Sequence, residues 1–380
     1  MNTTLRRTVI ATAAVSMALG MAACGKAGSS SSSSSSSSSA PSTASSSGTG
    51  STTTGGAIGL LLPDNVTARY AAFDKPQITA EIKTLCASCT VDYANAAGSA
   101  ATQAQQMSTM VSNGDKVIIL DAEDGKGIQS TVQAAVAKGV KVVAYDRLAN
   151  GPVSAYVSYD NEKVGELQGA ALLTALGSKA TPSTKIVEID GAASDPNAAQ
   201  FKAGFQQAVK GKVDIAYDQS GNWDAPTANQ EATAAIQQLG KANVAAIYSA
   251  NDGMAAGVAA AIKGAGLSGI PLTGQDAQID GVQRILAGTQ YVTIYKAPTP
   301  EAQAAAKLAV ALLNGTPAVT TIATSTQTSA SGNTVPSLLL TPVAVTKANV
   351  ESVIVQGGLY TAAQICTAEF KSYCTADGIQ

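Results

Sequence analysis

The sequence predicts an α/β protein whose sheets are parallel and covered by helices on both faces. Three observations carry that prediction. From Ala57 onward, short β-prone runs alternate with Ala-rich helical stretches at intervals of roughly 25 to 30 residues. The runs are nearly continuous in apolar residues, as strands buried on both faces are. About 324 of the 380 residues remain after residue 56, enough for two cores.

Taken in order, the chain opens with an export signal over 1–23. Arg6 and Arg7 form its positive end, and Thr8 to Ala22 are apolar but too few to span a bilayer as a permanent helix. It ends in Met21-Ala-Ala-Cys24-Gly, similar to the bacterial lipobox, in which the cysteine is lipidated and becomes the mature N-terminus. Met21 stands where Leu is usual. Ordinary secretion without lipid is the other reading, and the Arg pair leaves both Sec and twin-arginine export open. Residues 24–56 follow as a tether. The unbroken run Ser29 to Ser39 has nothing apolar to bury and cannot offset its ordering entropy. At ~5 to 6 Å times the square root of its ~30 residues, it would hold the folded part ~30 Å from a membrane lipid anchor.

Strands are predicted over 57–62, 90–93, 116–120, 140–145, 155–158, 184–189, 213–217, 244–248, 270–273 and 291–295. Helices are predicted over 102–112, 127–137, 163–176, 196–209, 226–239, 253–264 and 299–313. The Ser/Thr-rich segment from Pro317 to Pro336 reads as an exposed loop.

Composition narrows the function. There is no histidine, which excludes Ser-His-Asp and Cys-His nucleophile systems and His-bearing zinc sites. With 24 Lys+Arg against 26 Asp+Glu and no basic cluster, a nucleic-acid partner is not expected. No cofactor or metal site is expected. A Rossmann enzyme needs a Gly-rich turn after the first strand, and Leu61-Leu-Pro-Asp-Asn65 supplies none. A transcription repressor would carry a basic helix-turn-helix where this chain has its signal and tether.

Parallel α/β sheets place ligands outside the carboxyl ends of their strands. Those exits read Pro63-Asp-Asn65, Asp121, Asp146-Arg147, Asp190, Asn222-Trp-Asp224, Asn251-Asp252, Gln275-Asp276 and Lys296. Asp and Asn are also favoured helix caps, so each alone has a structural explanation. Arg147, Lys296 and Trp223 are not capping types. Each hydroxyl of a polyhydroxylated ligand both donates and accepts, so its site needs carboxylate and amide acceptors beside guanidinium donors. Its C–H face suits a flat ring. Trp223, the single tryptophan, either anchors a core or supplies that ring, and its Gly-Asn-Trp-Asp loop favours the ring.

Several of these segments, in order and spacing, resemble the xylose-binding proteins of bacterial sugar ABC importers. They are Ala144-Tyr-Asp-Arg147, Tyr159-Asp-Asn-Glu-Lys-Val-Gly-Glu-Leu-Gln168, Ser249-Ala-Asn-Asp252, Gly274-Gln-Asp276, Ala287-Gly-Thr-Gln290, Ile294-Tyr-Lys296 and Pro336-Ser-Leu-Leu-Leu-Thr-Pro342. The resemblance runs from about Ile58 to Gly358. It implies the type I periplasmic-binding-protein fold: two Rossmann-like lobes with parallel sheets joined by a three-strand hinge, the monosaccharide held between them. Lobe one would be 57–157 plus 291–320, lobe two 158–290 plus 338–355, with crossings near 157–160, 290–291 and 337–343 and a tail over 356–380. By position, Arg69 and Tyr70 match the Arg and Trp after the family's first strand, Tyr70 being a departure. Asp146 and Arg147 match its next pair, and Asp195 and Asn197 its helix-opening polar residues. Trp223 matches its stacking ring, and Asn251, Asp276 and Lys296 its remaining polar contacts. The implied role is capture of a monosaccharide, by a monomer, for an ABC transporter permease. A sensor that presents its closed form to a membrane signalling receptor would look the same in sequence.

With Cys24 assigned to lipid, Cys86, Cys89, Cys366 and Cys374 remain, an even set in an exported protein. Three pairings are possible, and the local ones, Cys86 with Cys89 and Cys366 with Cys374, are favoured. A redox role for Cys86-x-x-Cys89 is disfavoured, because the motif closes a helix instead of opening one and lacks the dipole that stabilises a thiolate.

Overall fold

Each central strand carries apolar side chains in both directions, so each needs cover on both faces. In a computed structural model describing residues 55–379, β1 (Ala57–Leu62) sends Ile58, Leu60 and Leu62 to one core and Leu61 to another. The next strands are β2 (Thr90–Asn95), β3 (Val117–Leu120), β4 (Lys141–Tyr145) and β5 (Ala155–Tyr159). β3 divides likewise, Val117 and Ile119 against Ile118 and Leu120, and so does β4, Val143 and Tyr145 against Val142 and Ala144. Two-sided burial is why these runs read as continuous rather than alternating. The export segment, Cys24 and nearly all of the serine tether lie outside the described residues.

The first helices are α1 (Lys75–Leu85), α2 (Ala100–Asn113), α3 (Gln129–Ala137) and α4 (Asn161–Leu176). α4 opens the second lobe, where β6 (Lys185–Asp190), α5 (Pro196–Val209), β7 (Asp214–Ser220), α6 (Ala225–Leu239), β8 (Ala246–Ser249) and α7 (Asp252–Gly264) alternate. They are followed by β9 (Thr273–Gln275), α8 (Ile279–Leu286), β10 (Val292–Tyr295) and α9 (Pro298–Leu313). The chain then forms α10 (Val319–Ile322), β11 (Ser325–Thr328), β12 (Thr334–Leu340) and β13 (Val343–Val345).

Lobe one is a seven-stranded sheet in the order β11-β12-β5-β4-β3-β1-β2, parallel except for β11. Lobe two holds β7-β6-β8 and β13-β10-β9, joined by the bridge of Ile247 to Leu272 and by the Ser249 amide donating to Thr273 Oγ1 at 3.0 Å. Three differences from the sequence reading stand out. β10 pairs in parallel with β9, so Val292–Tyr295 lies in lobe two and the chain crosses after Tyr295, not at 290–291. β12 stays in lobe one through Leu340, where it pairs with β5, so 338–340 is not yet lobe two. The segment 317–336 is no plain loop, because it forms the edge strand β11 and the start of β12, where half-exposed β-branched residues fit.

The structure joins Cys86 to Cys89 and Cys366 to Cys374. The segment after 356 is no loose tail: Ile365, Cys374 and Ile379 complete a core with Val282, Ile285, Leu286 and Ile354.

Candidate functional site

The carboxyl ends of both sheets face one another, and the residues at those ends close around one cleft. From lobe one come Arg69, Tyr70, Asp146 and Arg147; from lobe two come Asp195, Asn197, Trp223, Asn251 and Asp276. Lys296 reaches in from the crossing that follows β10. All ten residues singled out in the sequence therefore line the same space. Thr67, Phe201 and Gln275 line it too. Phe201 is one helical turn after Asn197 on α5, a spacing that could have pointed to it. Gln275 stood in the strand-exit set, and nothing local marks Thr67.

Other strand-exit residues do different work. Asp121 and Asp64 flank Arg147 from behind, at 3.5 and 3.8 Å. Asp190 pairs with Lys202 at 2.6 Å, and Asp224 caps α6 by accepting from the Thr227 amide. Capping and lining are not exclusive: Asp195 accepts from the Asn197 amide, and Asn251 caps α7 through the Met254 amide, while both face the cleft.

Arg69 is held rigidly. Asp74 takes its Nε at 2.9 Å and Nη2 at 3.1 Å, and Glu301 takes Nη2 at 2.7 Å. Its Nη1 lies 3.5 Å from Asp146. Asp146 accepts from Asn197 Nδ2 at 3.1 Å and from the Tyr70 hydroxyl at 3.4 Å, and lies 3.8 Å from Lys296. Burial alone would raise Asp146, but Lys296, Arg69 and Arg147 outweigh it and hold the carboxyl at about 2. It is therefore an ionised acceptor. Lys296 is also buried, which works against its charge, yet Asp146 and Asp276 raise it above the usual lysine value. Arg147 reaches across the cleft to Asp195 at 3.0 Å.

Three lining residues have left-handed backbones: Asp146 (φ 57°), Trp223 (φ 59°) and Asp276 (φ 88°). For non-glycine residues this costs on the order of 1 to 3 kcal/mol each and persists only where the surroundings impose it. The turns aim side chains back over the strand ends. The Trp223 ring packs so closely on Gly191 that a methyl group there would lie 2.0 Å from it, and it meets Phe201 edge-on with centroids 6.3 Å apart.

Four buried polar atoms of the lining have no hydrogen-bond partner among the described residues: Arg69 Nη1, Trp223 Nε1, Asn197 Oδ1 and Gln275 Oε1. Two are donors and two are acceptors. Such groups are costly to leave unmet, so a molecule in the cleft would gain by both donating and accepting. No cluster of three metal-ligating side chains occurs among the described residues.

Comparison with known proteins agrees. The periplasmic binding protein domain family matches residues 58–317. The multiple sugar-binding periplasmic receptor of Rhizobium radiobacter is 34% identical over 333 residues, covering 82% of this chain and 92% of its own. The D-xylose-binding periplasmic protein of Escherichia coli K12 is 33% identical over 320 residues, covering 81% and 92%. Among solved structures, an ABC transporter solute-binding protein of Clostridium phytofermentans with bound β-D-glucose superposes with a TM-score of 0.72. It is 27% identical, over 81% of this chain and 99% of that one.

Proposed function

The chain belongs to the periplasmic binding protein domain family, and from that premise we propose that it captures a monosaccharide between its lobes and hands it to an ABC transporter permease. The observation that carries this reading is the set of unmet donors and acceptors beside an indole ring in one cleft between the lobes. Hydroxyls would satisfy Arg69, Asn197 and Gln275, Asp146 would accept from the sugar, and Trp223 would cover a C–H face. It is a binding protein, not an enzyme. Its charges are spent on each other, which suits a neutral ligand.

D-xylose is the first candidate and D-glucose the second, since relatives bear the names of both. Contacts already cross the cleft, Arg147 to Asp195 and Asn197 to Asp146, so the sugar adds to a closed form that the lobes can reach by hinge motion. Lipidation at Cys24 would anchor the monomer to the outer face of the cell membrane, with the serine tether as spacer.

A thermal-shift panel with xylose, glucose, ribose, arabinose and galactose tests the reading, with calorimetry on each sugar that shifts the melt. A bound ligand at about 100 times its Kd stabilises by about 2.7 kcal/mol. Xylose or glucose is expected to raise the melting temperature; a flat panel together with silent calorimetry rejects sugar capture. Replacing Cys24 with Ala is expected to release the protein from membranes of an expressing cell.

A further inference from the structure

Asp276 presents its carboxylate to the cleft from a turn that its backbone resists. It and Ala277 are two successive non-glycine residues in the left-handed region, at φ 88° and 47°. Behind them, away from the cleft, lies Asp252, which is fully buried and not among the lining residues. Its Oδ2 accepts from the Gln278 amide at 2.9 Å and from the Thr293 hydroxyl at 2.7 Å, and its Oδ1 accepts from Gln290 Nε2 at 2.7 Å. The Thr293 oxygen in turn accepts from the Ala277 amide at 3.0 Å. One carboxylate thus holds the amide after the turn directly and the amide inside it through one hydroxyl. The strand before the turn leaves room for it: a methyl at Gly274 would lie 2.0 Å from Oδ1. Asp252 also opens α7 directly after Asn251, a second cleft residue, and Arg284 binds its carbonyl at 2.8 Å.

We infer that Asp252 is a positioning residue: through Thr293 and the Gln278 amide it imposes the Asp276–Ala277 turn and so sets the cleft carboxylate in place. The inference rests on the sugar-binding reading for its consequence, but not for its geometry. A left-handed pair survives where hydrogen bonds over-determine it, and here three donors converge on one buried carboxylate.

The test uses Asp252→Asn, Thr293→Val and Thr293→Ser in the full chain. Hydrogen exchange is followed at the Ala277 and Gln278 amides without sugar, and calorimetry with D-xylose and D-glucose is run alongside. Asn keeps one acceptor oxygen where three donors arrive, and Val keeps the shape of Thr without its hydroxyl. Exchange at both amides is expected to quicken by about tenfold or more in Asp252→Asn and Thr293→Val while the β3 amides stay protected. Sugar affinity is expected to fall about tenfold in both, with Thr293→Ser restored to within about twofold of the unsubstituted protein. If Asp252→Asn does not fold, the Thr293 pair carries the same test. Unchanged exchange at Ala277 and Gln278, or an affinity loss that Ser fails to reverse, overturns the inference. Absence of sugar binding by the unsubstituted protein would instead reject the function proposed above, and the exchange result would still decide the role of Asp252.

Discussion

The two walls of the cleft are rigid for different reasons. Lobe one contributes Arg69, Asp146 and Arg147, fixed by buried partners of opposite charge: Asp74 and Glu301 behind Arg69, Asp121 behind Arg147. Lobe two contributes mostly groups fixed by backbone geometry and packing. Asp195 and Asn251 are helix caps, Asp276 sits in its forced turn, and Trp223 rests on Gly191 and Phe201. Coulombic bracing fails abruptly, because removing one partner strands a buried charge; bracing by packing fails by degrees. Damage to lobe one should therefore cost more than damage to lobe two.

The largest effect is expected from Asp146→Ala, which strips Arg69 and Lys296 of a shared counter-charge. The expected loss is about 2 to 5 kcal/mol, more than about 30-fold in sugar affinity by calorimetry, because a buried charged acceptor facing the ligand is lost. Trp223→Ala should cost about 1 to 3 kcal/mol, about tenfold or more, with the fold retained. A Trp223→Ala loss equal to that of Asp146→Ala would break the contrast between the walls. Gly191→Ala should mimic the tryptophan loss, since the added methyl displaces the ring without touching any charge.

The smallest effect is a contrast in pH between two single residues, one in each lobe. Asp146 is depressed to about 2, so its stabilising contribution is complete above the ordinary carboxylate range and disappears only as pH falls toward 2. Glu188, under α5 in lobe two, goes the other way: burial and neighbouring Asp190 push it up to about 8, against the pull of Gln206 and Lys202. Between its ordinary value of 4.5 and about 8, the folded protein binds that proton more tightly than the unfolded chain, so stability falls as pH rises across the window. Glu188→Gln should lessen that slope, melting with the unsubstituted protein near pH 4 and above it at pH 8 to 9. The slope that remains belongs to Asp190 and Asp115, raised to about 6, Asp252, raised to about 7, and Glu301, raised to about 8. Identical melting curves at both pH values would show that Glu188 is not protonated in the fold.

Much of the fold was legible because it is written locally. Apolar runs such as Ile58-Gly-Leu-Leu-Leu62 and Val117-Ile-Ile-Leu120 need no distant partner to read as buried strands, and the polar residues after them fall at the sheet ends by construction. That is how ten cleft residues could be named from strand exits and a family resemblance. Phe201 was missed because a phenylalanine on an amphipathic helix looks like core, and it does join Val164, Val292 and Ile294 there while its ring also faces the cleft. Asp252 looked like one more strand-exit acid. Only its three converging donors separate it from Asn251 beside it.

By itself the sequence determined the α/β class, the strand positions, the strand-exit residues and the favoured local cysteine pairs, all of which depend on neighbours a few residues away. The tertiary structure decided which lobe owns β10, where β12 ends, that 325–340 is a sheet edge, that residues 356–379 complete a core, and which cleft atoms lack partners. Those are outcomes of pairing and packing between segments distant in the chain. Val292 finds Thr273 and Thr293 finds Val345 because burial and hydrogen bonding are settled together across the whole lobe, and no local pattern encodes that settlement.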